Sequence, residues 1–255
     1  MSHDRRVQTL SMLQPYVERA RAFSGWNFDD LDVSPIEASP PWNYVAMAER
    51  RALTAPRVLD IATGGGEVLS RIIAEPRRGF VATERWHVNA PLARDRLRPV
   101  GVQVVRARSS QLPFSDSSFD LVIDRHEGID PAEVMRVLGG RGAFITQQVW
   151  RNQWVELRDF FRKTDWGDHL KAYTRAFRGA GYDVLVQEHD WKARYGGVGE
   201  VVFMMLVTPW EFPDFDLERD IDDVLRMEDA LRTDEGIVLT LSQYLLVAEH
   251  RSAKG

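Results

Sequence analysis

The chain has 255 residues, a formal net charge of −5 at pH 7, 44% hydrophobic residues and no cysteine. This length and apolar content are enough to bury one large α/β core. The lack of cysteine excludes disulfides, thiolate zinc sites and cysteine nucleophiles, which fits a reducing compartment. The negative charge argues against a nucleic-acid partner, because binding a polyanion usually requires a basic stripe.

No segment of the sequence indicates export or membrane insertion. The first residues are not followed by the apolar run of a secretory signal, and the longest apolar run, 201–207, is far too short to span a bilayer. We therefore expect a cytoplasmic protein with no membrane partner. Nothing in the sequence indicates the oligomeric state.

The first 54 residues predict a helical cap ahead of the main sheet. Apolar spacing predicts a helix over 7–24, interrupted at Pro15, and a second amphipathic helix over 42–53. The proline-rich stretch 25–41 between them predicts a loop. Because this section is too small for an independent domain, we expect it to cover a ligand cleft.

Four aromatic residues of this section are candidates for the wall of that cleft: Trp26, Phe28, Trp42 and Tyr44. Packing of the cap onto the core is the alternative role for each of them.

A strand, a glycine-rich turn and the start of a helix follow one another over residues 58–73. The apolar strand contains Asp60 near its end, and Ala62 and Thr63 lead into the three glycines 64–66. Glycines allow left-handed dihedrals and a close approach of backbone to ligand, and this arrangement is typical of nucleotide-like ligand sites. The carboxylate of Asp60 favours a ligand with cationic or hydroxyl groups over a pyrophosphate.

Two phosphate-binding patterns fail at this turn. A Walker loop requires a lysine after the glycines, and none follows them. The dinucleotide fingerprint, started at Gly64, puts Leu69 where a glycine or alanine is required. An ordinary strand-to-helix glycine turn without a ligand remains the alternative.

A second acid, Glu84, ends the next predicted strand, 79–83, and Arg85 follows it. A carboxylate at this offset can accept hydrogen bonds from both hydroxyls of a ribose. A solvated residue at the start of a loop is the alternative. A third strand over 102–107 then leads through Ser109 and Ser110 to a Leu-Pro-Phe segment.

The remaining elements alternate between strands and helices. A fourth strand ends in Asp124, Arg125, His126 and Glu127, and a helix capped by Asp130 follows it. Further elements are predicted as a strand over 143–149, helices over 155–161 and 169–178, a strand over 182–189 and a helix over 217–231. The chain closes with an apolar segment over 237–241 and a last strand over 244–249.

The glycine turn resembles the cofactor loop of class I S-adenosylmethionine-dependent methyltransferases. Their pattern, acid-x-Gly-x-Gly-x-Gly, is matched by Asp60, Gly64 and Gly66, with Ala62 in place of the first glycine.

The segment 112–123 is similar to the "LPF-x-D-x-x-FD-hydrophobic" segment of methyltransferases of ubiquinone and menaquinone biosynthesis. In that family an aspartate four residues before the leucine contacts the adenine amino group. Here that position is Arg108, so we expect the contact from a serine hydroxyl or a backbone group. The resemblance is dense over residues 56–150 and fades before residue 40.

The resemblance implies a Rossmann-like, mostly parallel seven-stranded sheet flanked by helices, in one domain. Its parts would be an N-terminal helical cap (1–54), a nucleotide-binding core (55–190), and a substrate-side cover with the last strand (191–255). The implied cofactor is S-adenosylmethionine. The residues expected to bind it are Asp60, Ala62, Thr63, Gly64, Gly66, Glu84, Arg85, Ser109, Ser110 and Asp124.

The implied reaction is direct in-line transfer of a methyl group to a small-molecule acceptor, with no metal. His126 stands where many such enzymes meet the methyl group, and its ordinary pKa suits a general base. Asp124 and Glu127 could orient it. A histidine that only bonds neighbouring backbone is the alternative, and these three residues lack any recognised metal-ligand spacing.

Two other functions stay open. The chain could bind the cofactor without catalysis, as a regulatory or interaction protein, because Arg108 departs from the family pattern. An RNA methyltransferase is the third possibility, although the net charge does not favour it.

Overall fold

The computed structural model describes residues 3–73, 75–140 and 142–250. Within them, the helices are α1 (His3–Arg21), α2 (Tyr44–Ala52), α3 (Glu67–Ile72), α4 (Asn89–Leu97), α5 (Pro131–Leu138), α6 (His169–Gly179), α7 (Val198–Val207) and α8 (Ile221–Leu231). The strands are β1 (Val33–Pro35), β2 (Val58–Ile61), β3 (Phe80–Thr83), β4 (Gln103–Val105), β5 (Leu121–Arg125), β6 (Ala143–Val149), β7 (Tyr182–Tyr195), β8 (Arg232–Thr233) and β9 (Gly236–His250).

One mixed sheet contains all of these strands. Its order is β1-β7-β9-β6-β5-β2-β3-β4, and β8 pairs with β9. Neighbours from β4 through β6 are parallel, whereas β9 runs antiparallel to both β6 and β7. The Rossmann-like, mostly parallel fold is therefore confirmed, with nine strands in the described residues where seven were expected.

The two additional strands follow from the length of β7 and β9. These strands pair continuously from Tyr182 opposite His250 to Tyr195 opposite Ile237, whereas β6 accompanies β9 only as far as Gln243. The far half of the pair extends beyond the parallel strands, and β1 and β8 pair with its edges. Unpaired edges tend to recruit further strands.

Several predicted boundaries are therefore wrong. The strand predicted over 182–189 continues to Tyr195, and the last strand, predicted over 244–249, begins at Gly236 and includes the segment 237–241. Polar residues in the middle of each strand break the apolar alternation on which the prediction rested. The loop predicted over 25–41 contains the short strand β1, and the helix predicted over 155–161 is a 3-10 turn.

Three apolar clusters hold the layers together. Helices α2, α3 and α4 pack on one face of the parallel strands, and α5 and α6 pack on the other. The third cluster joins α1, α7 and α8 to the far half of β7 and β9, with Leu13 of α1 fully buried in it. Pro15 lies inside α1 and does not interrupt it as predicted, because it removes one hydrogen bond of a helix that packing already holds.

Candidate functional site

The glycine loop leaves β2 in a left-handed conformation. Ala62, Gly64 and Gly66 all have positive φ values, of 53°, 64° and 82°. For Ala62 this conformation costs about 1 kcal/mol relative to glycine. Hydrogen bonds to β3 hold the loop: Ala62 N donates to Thr83 Oγ1 at 3.2 Å, and Thr63 N donates to the Thr83 carbonyl at 2.8 Å.

Glu84 joins this loop to the chain that follows β3. Its carboxylate accepts hydrogen bonds from Gly64 N at 2.8 Å and from Trp86 N at 2.7 Å. Burial raises the pKa of Glu84, and the backbone N–H donors oppose that rise. The side chain predicted to bind a ribose therefore also stabilises the glycine loop.

Asp60 lies at the end of β2 beneath the loop. Burial raises its pKa to about 7, the charge of Glu84 adds to the rise, and the Thr63 hydroxyl opposes it. The carboxyl group therefore gives up its proton only near neutral pH, and a nearby positive charge would favour its ionised form.

Two further acids complete a group of four carboxyls at this edge of the sheet. The charges of Asp60 and Glu127 contribute to the raised pKa of Asp124, and the charge of Glu84 contributes to that of Glu127. Burial is the larger cause for both residues. A positive charge at this edge would favour the ionised forms of these carboxyls, so the edge favours a cationic ligand.

Asp124 is fully buried, and its contacts lie within the sheet. Its Oδ2 accepts hydrogen bonds from Thr146 Oγ1 at 2.7 Å and Gln148 Nε2 at 2.5 Å, whereas Oδ1 has no partner in the described residues. Gln148 Nε2 also donates to the Glu127 carbonyl at 2.8 Å. Asp124 thus fixes the ends of β5 and β6 relative to each other.

Some of the predicted site residues that follow β3 and β4 lie at the same edge of the sheet. Ser109 Oγ donates to Glu127 Oε1 at 3.2 Å, and the charge of Arg85 lowers the pKa of Glu127. Ser110 is exposed in a tight turn closed by the hydrogen bond from Gln111 N to the Arg108 carbonyl. The structure therefore brings Ser109 and Arg85 to the acidic cluster and records no such contact for Ser110.

His126 follows β5 with a φ of 64°, an uncommon value for a residue with a side chain. Its backbone N–H continues the sheet by donating to the Gln147 carbonyl at 2.9 Å. Strained backbone held in this way is frequent at functional sites.

The surroundings of the His126 imidazole lower its pKa. The residue is exposed to solvent, yet desolvation by the surrounding protein, with the charge of Arg125, lowers its pKa well below the ordinary value. Its Nε2 lies 3.4 Å from Gln243 Nε2, so an amide donor there leaves Nε2 as the acceptor, an assignment that rests on the hydrogen-bond network.

The polar neighbours of His126 are not the expected ones. Asp124 bonds within the sheet, Glu127 accepts from Ser109, and Gln243 of β9 contacts the ring. The apolar pattern divides β9 at Gln243, so it does not predict this residue for the site. The polar run 146–148 at the end of the buried strand β6 was a usable signal, since all three of its residues are buried.

The cap aromatics divide between the two roles considered for them. Trp42 Nε1 donates to Gln147 Oε1 at 2.9 Å, and the carbonyl of Gln147 accepts from His126 N. Tyr44 is buried in the core with α3 and α4. Trp26 lies against the glycine loop, and Phe28 packs behind it at a ring distance of 6.1 Å.

Within the described ranges, no three His, Cys, Asp or Glu side chains form a group able to hold a metal ion. No helix there is long and apolar enough to cross a membrane.

The part of the chain that contains this edge is similar to a known protein family. Residues 59–145 match a family model described as "Methyltransferase domain", and no curated protein matches the sequence. The YcgJ protein from Bacillus subtilis is similar in structure, with a TM-score of 0.58 and 17% identity over 82% of this chain and 99% of that one.

Two further solved structures share the fold. A protein from Bacillus halodurans C-125, provisionally assigned as a methyltransferase, has a TM-score of 0.57 and 17% identity, over 82% of this chain and 99% of that one. The [4+2]-cyclase SpnF has a TM-score of 0.52 and 14% identity, over 96% of this chain and 95% of that one. At these identities the structures support the fold alone. Together with the family match they confirm the resemblance to class I methyltransferases.

Proposed function

We propose that the chain transfers a methyl group from S-adenosylmethionine to a small-molecule acceptor. The premise is that residues 59–145 form a methyltransferase domain on the class I fold. One observation carries the proposal: the glycine loop, Glu84 and Asp60 meet at the carboxyl edge of the parallel strands. Ligands of open α/β sheets gather at this edge.

The groups at this edge fit the cofactor. S-adenosylmethionine has an ammonium and a sulfonium, both positively charged, and two ribose hydroxyls. Asp60, Glu84 and Glu127 supply negative charge and hydrogen-bond acceptors, and a cation among them relieves their mutual repulsion. Asp60 is expected to bind as the carboxylate, and Glu84 to accept from the hydroxyls while keeping its bond to Gly64.

Methyl transfer requires few chemical groups from the protein itself. Bound S-adenosylmethionine supplies an electrophilic methyl group on a sulfur that leaves in a single displacement. The chain has to hold the acceptor in line and exclude water. His126, neutral at pH 7 because its pKa is lowered, can take a proton from an acceptor hydroxyl or ammonium group.

A small acceptor is favoured over a nucleic acid. The carboxyl cluster and the net charge of −5 repel a polyanion. The Gln243 amide beside the exposed His126 ring is a neighbour suited to a compact polar molecule.

A second function, cofactor binding without methyl transfer, is favoured by one observation. The low pKa of His126 makes it a weak base, so proton removal from a reluctant acceptor would be slow. Similarity of fold to a cyclase is consistent with this alternative, because one fold hosts many activities.

Transfer of a labelled methyl group separates these functions. The purified chain is incubated with methyl-labelled S-adenosylmethionine and panels of phenols, amines, carboxylates and quinols, with bulk tRNA as a separate arm. We expect labelled product from one class of small molecule, loss of product in Glu84→Ala, and retention in Asp95→Ala, whose carboxylate is exposed on α4. Binding without transfer in any arm would favour the non-catalytic function, and label in tRNA would contradict the small-molecule acceptor.

A further inference from the structure

Trp26 lies directly on the glycine loop. A Cβ atom built on Gly64 would overlap Trp26 Cδ1, so the indole is in van der Waals contact with that glycine. Two other tryptophans adjoin it: Trp86, nearly parallel at an interplanar angle of 11° and a ring distance of 6.3 Å, and Trp210, edge-on at 5.6 Å. These three indoles, the tryptophan cluster, come from three separate segments of the chain.

The residues that precede Trp26 are held more firmly than its indole. Gly25 N donates to Asn89 Oδ1 at 2.9 Å in a buried hydrogen bond, and Phe23 packs edge-on against Phe203 of α7 at 5.5 Å. Among the described residues, the indole contacts Gly64 and neighbouring rings and makes no hydrogen bond, and Trp86 and Trp210 remain 47% and 40% exposed. Rotation of the Trp26 side chain therefore breaks no hydrogen bond and no ion pair described here.

The acids proposed to bind the cofactor are nearly inaccessible to solvent, and Glu84 bonds to the glycine that Trp26 covers. Glu84 is only 6% exposed and Asp60 only 7%, although each would have to touch a ligand. The two cavities described lie elsewhere, one beside Arg178 and Leu185 and the other beside Asp190. His126, in contrast, is exposed to solvent. The side of the site beside Gly64 is thus closed while the side beside His126 is open.

We propose that Trp26 is a gate of the cofactor site: its indole covers the glycine loop and must move off Gly64 for the cofactor to reach Glu84 and Asp60. This inference rests on the proposed function and adds to it a residue outside the segment matched by the family model. The gate makes the N-terminal segment a part of the site, since it controls access as well as packing.

The gate has a kinetic consequence. If the open arrangement is a minor state, the apparent affinity of a ligand is reduced by the open fraction. Association then depends on opening, so its observed rate should level off at high ligand concentration. Removing the indole should abolish this limit.

Stopped-flow tryptophan fluorescence with S-adenosylhomocysteine as the ligand tests this. We expect Trp26→Ala to raise the association rate constant by about tenfold or more, the factor for an open state populated at about 10% or less. Trp26→Phe should give an intermediate rate and lose most of the fluorescence change. Trp166→Phe is the matched control, because that indole is 53% exposed and donates to Glu211 rather than contacting the loop.

The outcomes separate the gate from the proposed function. Equal association rates in wild type and Trp26→Ala, with or without faster dissociation, would reject the gate and leave the function standing. Absence of binding in both proteins would reject the proposed function and the gate with it. Trp26→Phe, whose smaller ring retains aromatic packing, replaces Trp26→Ala in this comparison if thermal unfolding shows the alanine variant to be misfolded.

Discussion

At the scale of single residues, burial and mutual repulsion determine the behaviour of the acids. Asp60 and Glu84 lie together beneath the glycine loop, and each is nearly inaccessible to solvent. Glu84 compensates for its burial by accepting two backbone hydrogen bonds. Asp60 has only the Thr63 hydroxyl to oppose its desolvation, so its pKa rises to about 7.

Asp60 should make folding stability depend on pH. In the unfolded chain an aspartate ionises near pH 4, whereas folded Asp60 retains its proton to about pH 7. Between these values the folded state binds more protons, so stability falls as pH rises across the window. We expect the melting temperature of Asp60→Asn, relative to that of wild type, to rise between pH 4.5 and pH 8. The corresponding change in the relative free energy of unfolding is at most a few kcal/mol.

Thermal unfolding at several pH values measures this difference. Asp30→Asn serves as the control for a lost charge, because the side chain of Asp30 is 92% exposed. A difference between Asp60→Asn and wild type that stays constant or shrinks over this range would contradict the buried, protonated Asp60.

His126 should act on turnover and not on cofactor binding. We expect His126→Ala to lower turnover by roughly 10²–10⁴-fold, with cofactor affinity almost unchanged. Because the pKa of the imidazole is lowered, the acidic limb of the wild-type profile should lie well below pH 6.5, and the variant should lose it. His3→Ala, an exposed position at the start of α1, is the control. Unchanged turnover per folded molecule would make His126 structural.

At the scale of elements, glycine conformation determines where helices end. Helix α5 ends at Gly139, which has a φ of 61° and whose N–H donates to the Met135 carbonyl at 3.0 Å. The carbonyl of Val137 accepts from Phe119 N, so the helix end is tied to the segment before β5. The capped helix predicted from Asp130 is confirmed, with Asp130 Oδ1 accepting from Ala132 N at 2.9 Å.

Gly139→Ala should destabilise the fold. A Cβ there meets the left-handed backbone penalty and overlaps Ser117, so we expect a loss of roughly 1–3 kcal/mol in the free energy of unfolding. Gly179→Ala, at the end of α6, is the matched control, because its Cβ would meet nothing within 4 Å and should be neutral or slightly stabilising. Denaturant unfolding compares the two, and an equal effect would contradict this account.

The sequence predicted the central elements because their signals are local. The strand before the glycine loop, the acid after β3 and the cap of α5 depend on neighbouring residues, and the structure has each of them. Gln243 could not be predicted beside His126, since that contact depends on the register between β9 and its neighbours. The position of Trp26 on Gly64 likewise depends on how α1 packs against α7.

At the scale of the whole molecule, the third apolar cluster packs the N-terminal cap against the substrate-side cover. It joins α1 to α7, α8 and the far half of β7 and β9. We propose from this that the chain is one folding unit, as the sequence analysis expected for residues 1–255. The residues 1–2 and 251–255 of the expected cap and cover lie outside the described residues.

Removing the cap should therefore unfold more than the cap. A chain beginning at residue 55 would expose the partners of Leu13 on α7 and α8 and lose the α2 side of the core. We expect it to be insoluble or to lose its cooperative thermal transition. A soluble truncated chain that unfolds cooperatively at the wild-type temperature would contradict the single unit.

The central claim is that the carboxyl edge of the sheet, where Glu84 supports the glycine loop, is an S-adenosylmethionine site. Calorimetric titration of the whole chain with S-adenosylmethionine and S-adenosylhomocysteine tests it most directly. We expect both to bind at sub-millimolar concentration, with affinity weakened roughly 10- to 100-fold in Glu84→Ala and unchanged in Asp95→Ala. Failure of the wild-type chain to bind either ligand, or equal binding by wild type and Glu84→Ala, would contradict it.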